Sequence, residues 1–161
     1  MSKLSWFFLS VTFCFCACAK KKCDYKDDGV VAPASEQKAV KQYLDSLGIT
    51  ASLHPRGFYY KIGDGGSGAV PGECSQITVS YIGQLTDGTI FDQQTSFVTE
   101  LANLIDGWQQ GMPLVKKGGE INLYIPPSLG YGSQSVSTSN PNTSIPPYSI
   151  LIFDIHLLDV Q

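Results

Sequence analysis

The stretch ILIFDIHLLDV, residues 150–160, decides the fold because apolar side chains occupy both of its faces. One face carries Leu151, Phe153, Ile155 and Leu157, and the other carries Ile150, Ile152, Asp154, His156 and Leu158. Strands that are apolar on both faces are typical of the middle of a sheet that is covered on both sides. The stretch therefore predicts a central β-strand.

Segments upstream of this strand change to a period of two, which favours further strands. They are FYYKI at 58–62, ITVSY at 77–81, TIFD at 89–92 and INLYI at 121–125. Asp87-Gly88 precedes TIFD and is a strong signal for a tight β-hairpin. Pro126-Pro127 ends the last segment, because proline has no N–H to donate to a sheet. These segments predict an antiparallel sheet.

The segment LIDGWQQGMPLV, residues 104–115, predicts a helix of two or three turns between two of the strands. We therefore expect an α+β domain over residues 57–161, in which a twisted antiparallel β-sheet wraps around one short α-helix. The polar, low-complexity segment at 133–144 predicts a flexible loop. A length of 161 residues suits one such domain with short appendages.

A short amphipathic helix is predicted ahead of this domain, within residues 35–56. Ser35 is placed as an N-cap, and Glu36 lies in the first turn, where a negative charge is favourable. Apolar residues then recur at helical spacing, at Ala39, Val40, Tyr43, Leu44 and Leu47. Gly48 predicts the end of the helix. We expect the apolar face to dock on the domain or on a second copy of the chain.

The first 17 residues have the pattern of an export signal and are excluded from the fold. Lys3 supplies a positive charge, and the apolar run after it is too short to span a bilayer, which takes about 20 residues. Ala17-Cys18 resembles a bacterial lipobox, so Cys18 is the predicted lipid attachment site. Two alternatives are lipidation of Cys16 and ordinary secretion with cleavage after Ala19.

Residues 18–34 are mostly charged or small and show no periodicity, so they predict a flexible tether. A disulfide between Cys23 and Cys74 is not expected, because Cys23 lies on that tether. The remaining cysteines, Cys14, Cys16 and Cys18, cluster at the leader, and no paired C-x-x-C motif predicts a metal site.

Composition and motifs argue against several function classes. The net charge of -3 gives no basic field for nucleic acid. The run GDGGSG at 63–68 spells G-x-G-x-x-G, but turn residues follow it where a dinucleotide cofactor needs a helix. Asp92 has no second carboxylate fixed beside it, and no Ser/His/Asp arrangement is apparent. We therefore expect no cofactor, and hydrolysis has weak support.

Four aromatic residues in separate predicted elements are candidates for one pocket: Tyr81, Phe91, Trp108 and Phe153. Taken singly, an aromatic residue on a strand or helix face more often belongs to the core. Asp92 directly follows Phe91, however, and Tyr131 lies on a loop rich in proline and glycine. Together these residues would form a small apolar pocket with one carboxyl group and one phenol. Such a pocket suits a reaction that needs neither a cofactor nor a nucleophile.

The order and spacing of these residues resemble one known family. Tyr81-Ile82-Gly83 is followed by TDGTIFD at 86–92, LIDGW at 104–108, IPPSLGYG at 125–132 and IPPYSILIFDIHLL at 145–158. Over roughly residues 57–160 the sequence looks like an FKBP-type peptidyl-prolyl cis–trans isomerase. With a leader and an amphipathic helix ahead of the domain, it is similar to the envelope members of that family in bacteria.

The resemblance implies a set of site residues: Tyr81, Phe91, Asp92, Phe97, Leu104, Ile105, Trp108, Tyr131, Ile145 and Phe153. Trp108 would form the floor under a prolyl ring, the other aromatic rings the walls, and Leu104 with Ile105 the rim. The Ile105 backbone N–H and the Tyr131 hydroxyl would donate hydrogen bonds to substrate carbonyl groups. Asp92 would orient this network, and Ile145 would close the loop side.

The resemblance also implies substrates, ligands and a location. The substrates would be proline-containing polypeptides, unfolded or partly folded, in the bacterial cell envelope, and the N-terminal lipid would hold the protein at the outer membrane. The macrolides tacrolimus and rapamycin are implied ligands. An alternative is a binding module or holdase chaperone with little turnover, because the segment from Asp92 to Trp108 is shorter, and the loop before Ile145 longer, than in small cytosolic members. A glycan hydrolase built on Asp92 is a third hypothesis.

Overall fold

In the computed structural model, the described residues are Cys23, 25–138 and 143–161. The helices are α1 (Ala34–Ser46) and α2 (Asp106–Gly111); the strands are β1 (Ser52–Leu53), β2 (Tyr59–Asp64), β3 (Gln76–Gln84), β4 (Ile90–Glu100), β5 (Glu120–Ile125), β6 (Val136–Ser137), β7 (Ser144–Ile145) and β8 (Leu151–Val160). The predicted leader and the predicted lipid attachment site at Cys18 lie outside the described residues. Within the described ranges, no helix is long and apolar enough to cross a membrane.

Six strands form one antiparallel sheet in the order β1-β2-β5-β8-β3-β4. β8 lies between β5 and β3, so the predicted central strand is confirmed. In the middle of this strand, Phe153 pairs with Leu123 on one side and with Gly83 on the other. The predicted hairpin joins β3 to β4, and Gly88 in its turn has a φ of 86°. The predicted α+β fold, with an antiparallel sheet and a short helix, is confirmed.

Helix α2 approaches the sheet closely because two of its residues lack side chains. A Cβ atom on Gly107 would lie 2.6 Å from the Ile125 side chain, and one on Gly111 would lie 2.7 Å from the Leu123 side chain. The α-helix is shorter than predicted, since a 3-10 turn at Met112–Leu114 continues it. This close approach places Trp108 against the sheet.

Helix α1 docks on the other face of the sheet from α2. Its buried residues are Val40 and Leu44, and they pack with Tyr59, Tyr124 and Ile152. Ile152 points to this face because side chains alternate along a strand and the next residue, Phe153, belongs to the α2 side. The predicted docking of α1 on its own domain is therefore confirmed, and contact with a second copy stays a prediction.

The predicted start of α1 differs from the structure, whereas the predicted end agrees with it. The helix begins at Ala34 directly after Pro33, and no side chain caps it. The predicted N-cap at Ser35 is therefore wrong, because Ser35 already lies in the first turn. The predicted end is confirmed at Gly48, which has a φ of 66° and donates its N–H to the Asp45 carbonyl.

Residues 25–33, here called the N-terminal strap, lie against the domain. The Ala32 N–H donates to the Arg56 carbonyl over 2.9 Å, and Ala32 is buried in the main core. The Arg56 guanidinium in turn donates to the Val30 carbonyl and pairs with the Asp27 carboxylate. The prediction of a flexible tether over 18–34 is wrong for this part, because these contacts join residues far apart in sequence.

A disulfide joins Cys23 to Cys74, so the expectation that these residues do not pair is wrong. Their Cα atoms are 5.6 Å apart, which lies within the usual range for a disulfide. The bond spans a sequence separation of 51 residues and fixes the start of the strap beside the chain that leads into β3. Because the strap lies against the domain, Cys23 is not on a free tether as the prediction assumed.

The segment at 133–144 is more ordered at its ends than a flexible loop. Strands β6 and β7 pair there, with Val136 opposite Ile145 and Ser137 opposite Ser144. Residues 139–142, between the two strands, lie outside the described residues. The loop prediction is therefore wrong for the residues that form this small hairpin.

Candidate active site

Four aromatic rings meet between α2 and the sheet. Phe153 is central, because its ring centroid lies 5.2 Å from Trp108, 5.5 Å from Phe91 and 6.3 Å from Tyr81. The Tyr81 and Trp108 rings are 5.3 Å apart with an interplanar angle of 87°. Edge-to-face pairs of this kind are favoured by the charge distribution of aromatic rings. Because the rings stand steeply to one another, they leave a concave apolar surface.

This surface borders a cavity of about 160 Å³. The lining residues are Tyr81, Phe91, Asp92, Phe97, Asn103, Leu104, Ile105, Trp108, Tyr131 and Phe153. Nine of the ten predicted site residues thus lie around a single cavity, although their segments are spread from β3 to β8.

The tenth predicted residue, Ile145, does not line this cavity. Its side chain is 3% exposed and belongs to the main core, while its backbone pairs with Val136. The same core contains Trp108 and Phe153, which do line the cavity, so the role that the resemblance implies for Ile145 stays a prediction.

Gly83 allows the rings of two neighbouring strands to approach. A Cβ atom at this position would lie 2.7 Å from the Phe91 ring and 2.9 Å from the Phe153 ring. Separations this short are not tolerated, so any larger residue would push the rings apart. The glycine therefore sets the spacing of two cavity walls.

A hydrogen bond between Tyr81 and Asp92 lies beside the apolar rings. The Tyr81 hydroxyl donates to Oδ2 of Asp92 over 2.5 Å. Burial, followed by this hydrogen bond and the charge of Asp92, raises the pKa of Tyr81 well above its ordinary value. Burial and then the Asp92 charge also raise the pKa of Tyr131. Both phenols are therefore protonated hydrogen-bond donors at neutral pH.

The rim of the cavity is held by Gln109, which sequence reasoning missed. Its side-chain Nε2 donates to the Leu104 carbonyl over 2.6 Å and to the Ala102 carbonyl over 3.2 Å. The Ile105 carbonyl accepts the Trp108 N–H over 2.9 Å, which ties the rim to α2. No sequence signal indicates the Gln109 contacts, because they depend on how the preceding turn folds back.

Asn103 is a second residue that sequence reasoning missed. It lines the cavity beside the predicted rim residue Leu104. Its place directly before the LIDGW motif is the one available signal, since neighbours of a rim residue often reach the same cavity.

A larger depression of about 610 Å³ lies on the opposite face of β3 and β8. Its lining is Ser80, Tyr81, Ile82, Gln93, Gln94, Thr95, Glu120, Asp154 and His156. Most of these side chains are polar, and Tyr81 is the only Phe, Tyr or Trp residue among them. The aromatic cavity is therefore the candidate site for an apolar ring, although it is the smaller of the two.

The described part of the chain contains no group of His, Cys, Asp and Glu side chains that could hold a metal ion. His54 stacks on Phe58 with ring centroids 4.3 Å apart, and its Nδ1 accepts the Arg56 N–H. Burial and then the Arg56 charge lower the pKa of His54. These contacts give His54 a structural place beside the strap.

Comparisons with known proteins identify relatives of the whole domain. A family model described as FKBP-type peptidyl-prolyl cis-trans isomerase matches residues 68–158, more than half of the chain. The chain is similar to the FKBP-type peptidyl-prolyl cis-trans isomerase FkpA of Buchnera aphidicola subsp. Schizaphis graminum, with 39% identity over 127 residues, covering 76% of this chain and 47% of that protein. It is also similar to the outer membrane protein MIP of Legionella longbeachae, with 37% identity over 111 residues, 66% of this chain and 46% of that protein.

Among solved structures, the crystal structure of FkpA from Escherichia coli matches with a TM-score of 0.67 and 33% identity. The match covers 80% of this chain and 60% of that one. The chain spans about half the length of the two curated relatives named above.

Proposed function

Because the chain belongs to the family of FKBP-type peptidyl-prolyl cis-trans isomerases, we propose that it catalyses rotation about peptide bonds that precede proline. The observation that carries this proposal is the aromatic cavity, in which the Trp108 and Phe153 rings lie 5.2 Å apart with two neutral phenols beside them. At about 160 Å³ it is smaller than the ~300–1,000 Å³ of most small-molecule pockets, and it suits a single prolyl ring.

The proposed mechanism uses the difference in polarity between the planar and the twisted amide. Rotation has a barrier of about 18–20 kcal/mol because amide resonance is lost. Resonance leaves the planar amide with partial charges, which water stabilises, whereas the twisted amide is less polar. An apolar cavity therefore favours the twisted form relative to the planar one. Each ~1.4 kcal/mol of this preference accelerates exchange about tenfold.

Hydrogen bonds would hold the flanking peptide while the bond rotates. The backbone N–H of Ile105 and the hydroxyl of Tyr131 are the proposed donors, since both residues line the cavity. Asp92 already accepts the Tyr81 hydroxyl, so its proposed role is to orient the phenols. The mechanism requires no proton transfer, so Asp92→Asn is proposed to slow turnover less than loss of a cavity wall.

The proposed substrates are proline-containing segments of unfolded or partly folded polypeptides in the bacterial cell envelope. The name of the relative from Legionella longbeachae, outer membrane protein MIP, supports an envelope location. The leader pattern supports export, and the lipobox-like sequence supports a lipid anchor at Cys18. Tacrolimus and rapamycin would compete with a prolyl ring for the same cavity.

A refolding assay limited by a cis-prolyl bond tests the proposal, with the wild-type chain, Phe97→Ala and Tyr131→Phe. Uncatalysed exchange takes roughly tens to hundreds of seconds, so catalysis is easily resolved. We expect losses in kcat/KM of about tenfold for Phe97→Ala and about threefold for Tyr131→Phe. Tyr148→Phe is the matched control, because Tyr148 is 69% exposed and does not line the cavity. Equal refolding rates with and without the wild-type protein would defeat the proposal.

A binding module with little turnover is a second candidate. The observation that favours it is that Ile145, which the resemblance assigns to the loop side of the cavity, is not among the residues that line it. This candidate predicts that the protein suppresses aggregation of an unfolded client while the isomerisation rate stays at the uncatalysed value. Suppression that survives Phe97→Ala would place client binding outside the cavity.

A further inference from the structure

We infer that Glu36 in α1 is a positioning residue for the Tyr131 hydroxyl, and that it acts through Ser128. The inference rests on the proposed function, since it gives Tyr131 a task that depends on its location. Glu36 and Ser128 are 92 residues apart in sequence, and their contact joins the helix ahead of the domain to a loop of the cavity. None of the residues that line the cavity belongs to α1.

The contact consists of two hydrogen bonds to one carboxylate oxygen. Oε2 of Glu36 accepts the Ser128 backbone N–H over 3.0 Å and the Ser128 hydroxyl over 2.7 Å. Both residues are partly buried. A charged acceptor makes such bonds shorter and stronger than bonds between neutral groups. The carboxylate therefore fixes both the backbone and the side chain of Ser128.

Ser128 lies in a tight turn that leads directly to Tyr131. The turn is the 3-10 segment Pro127–Leu129, and its Pro127 carbonyl accepts the N–H groups of Gly130 at 3.0 Å and Gly132 at 2.9 Å. The chain on both sides of Tyr131 is thus bonded to one carbonyl group. Because Ser128 adjoins Pro127, fixing Ser128 also fixes the point from which the Tyr131 loop departs.

The other end of the contact is rigid without help from Ser128. Glu36 occupies the first turn of α1, and Val40 and Leu44 anchor that helix on the sheet. The Gln37 side chain also donates to the Ala32 carbonyl over 2.7 Å, which ties the same turn to the strap. Glu36 is therefore held in place before it binds, and little entropy is lost in making the contact.

Tyr131 depends on this support because it is less buried than the other aromatic residues of the cavity. Its side chain is 36% exposed, whereas the Trp108 and Phe153 side chains are at most 5% exposed. The Trp108 and Phe153 rings are held by the side chains around them. Tyr131 lies on a loop, so the position of its hydroxyl depends on the backbone of that loop. Removing the Glu36 carboxylate would widen the range of positions that this hydroxyl occupies.

A double-mutant cycle tests the inference, using Glu36→Ala, Tyr131→Phe and the combined variant in the refolding assay. We expect Glu36→Ala to lower kcat/KM about threefold in the wild-type background and to have almost no effect in the Tyr131→Phe background. A merely structural role would give equal losses in both backgrounds, and that result would overturn the inference. Glu36→Gln keeps an acceptor oxygen, so it should restore most of the activity. Asp45→Ala is the matched control, since Asp45 is an exposed carboxylate of the same helix.

Amide hydrogen exchange distinguishes failure of this inference from failure of the proposed function. Glu36→Ala should accelerate exchange at Gly130 and Gly132 about threefold or more, while exchange in β8 stays unchanged. If the wild-type protein shows no isomerase activity but this acceleration occurs, the proposed function fails and the support of the loop stands. If the exchange rates of Gly130 and Gly132 in Glu36→Ala match those in Asp45→Ala, Glu36 does not position the loop.

Discussion

The aromatic cavity and the N-terminal strap are held to the same domain by different kinds of interaction. The cavity is lined by buried or partly buried rings on β3, β4, β8 and α2, and the centroid of each lies 5–6 Å from that of at least one other ring. The strap is held by backbone hydrogen bonds, an ion pair at Arg56 and one covalent bond at Cys23. Because the packed rings contact one another, a substitution of one ring alters the whole cavity. The strap contacts at Arg56 and the disulfide at Cys23 lie at different points of the chain, so one can be removed with limited effect on the other.

The largest expected effect is on the cavity, from Phe153→Ala. Removing a buried phenylalanine typically costs about 3–5 kcal/mol of unfolding free energy, because a void replaces well-packed atoms. Phe153 contacts three other rings, so we also expect the folded fraction to lose at least about tenfold in kcat/KM. Urea unfolding and the refolding assay measure the two quantities.

Phe58→Ala is the matched control for this change. Phe58 is 0% exposed in the same core but does not line the cavity, and it stacks on His54 next to the strap. We expect a similar loss of stability with near-normal activity per folded molecule. Equal loss of activity in both variants would show that the cavity responds to general loosening of the core.

The disulfide gives the next largest effect and concerns the strap. In the chain-entropy model, closing a loop of this length stabilises a protein by about 4 kcal/mol, and the typical contribution of a disulfide is about 2–4 kcal/mol. Cys23→Ser with Cys74→Ser should therefore lower the unfolding free energy by about that amount, measured by urea unfolding. Activity at low denaturant should stay within about twofold, because neither cysteine lines the cavity. A large loss of activity without a loss of stability would contradict the separation of the two regions.

The sequence predicts the cavity far better than the strap, and the reason is physical. Alternation with a period of two reports which face of a strand is buried, so Phe91 and Phe153 are predictable from their own neighbours. The resemblance adds the loop residue Tyr131, which has no periodic signal. The Cys23–Cys74 and Glu36–Ser128 contacts join residues 51 and 92 positions apart. Nothing near either partner in sequence indicates such a pairing. Ile145 is the one implied site residue that does not line the cavity, and its pairing with Val136 is likewise not indicated by its neighbours in sequence.

A smaller effect is expected from crowding the contact between α2 and β5. Gly107→Ala places a Cβ atom 2.6 Å from Ile125, so the helix must move away from the sheet. Overpacking of this kind costs about 1–3 kcal/mol, and the adjacent Trp108 should shift with the helix, lowering kcat/KM. Gly65→Ala is the matched control, since a Cβ atom there meets nothing within 4 Å. Unchanged activity in a destabilised Gly107→Ala variant would show that the cavity floor tolerates a shift of α2.

Alkaline pH should weaken the cavity through Tyr81. The pKa of Tyr81 is raised, chiefly by burial and then by Asp92, so its contribution to stability is complete below the unfolded value of 10.0. That contribution is lost as the pH rises from this value through the higher folded pKa. Unfolding free energy measured from pH 8 upward should therefore fall less steeply in Tyr81→Phe than in the wild-type protein. The exposed Tyr148→Phe variant should follow the wild-type curve.

Acid pH should weaken the strap first, through Asp27, and this is the smallest effect. The Gly29 N–H and then Arg56 lower the pKa of Asp27 below its ordinary value of 3.8. Its contribution is therefore present above pH 3.8 and is lost as the pH falls through the lower folded pKa. In Asp27→Asn, the contact is no longer lost by protonation. The Ala32 N–H bonds to the Arg56 carbonyl, so amide exchange at Ala32 below pH 3.8 should depend less on pH in this variant than in the wild-type protein. Asp45→Asn in α1 should leave that dependence unchanged. If acid accelerates exchange in β8 as early as at Ala32, the strap and the cavity-bearing sheet do not open separately.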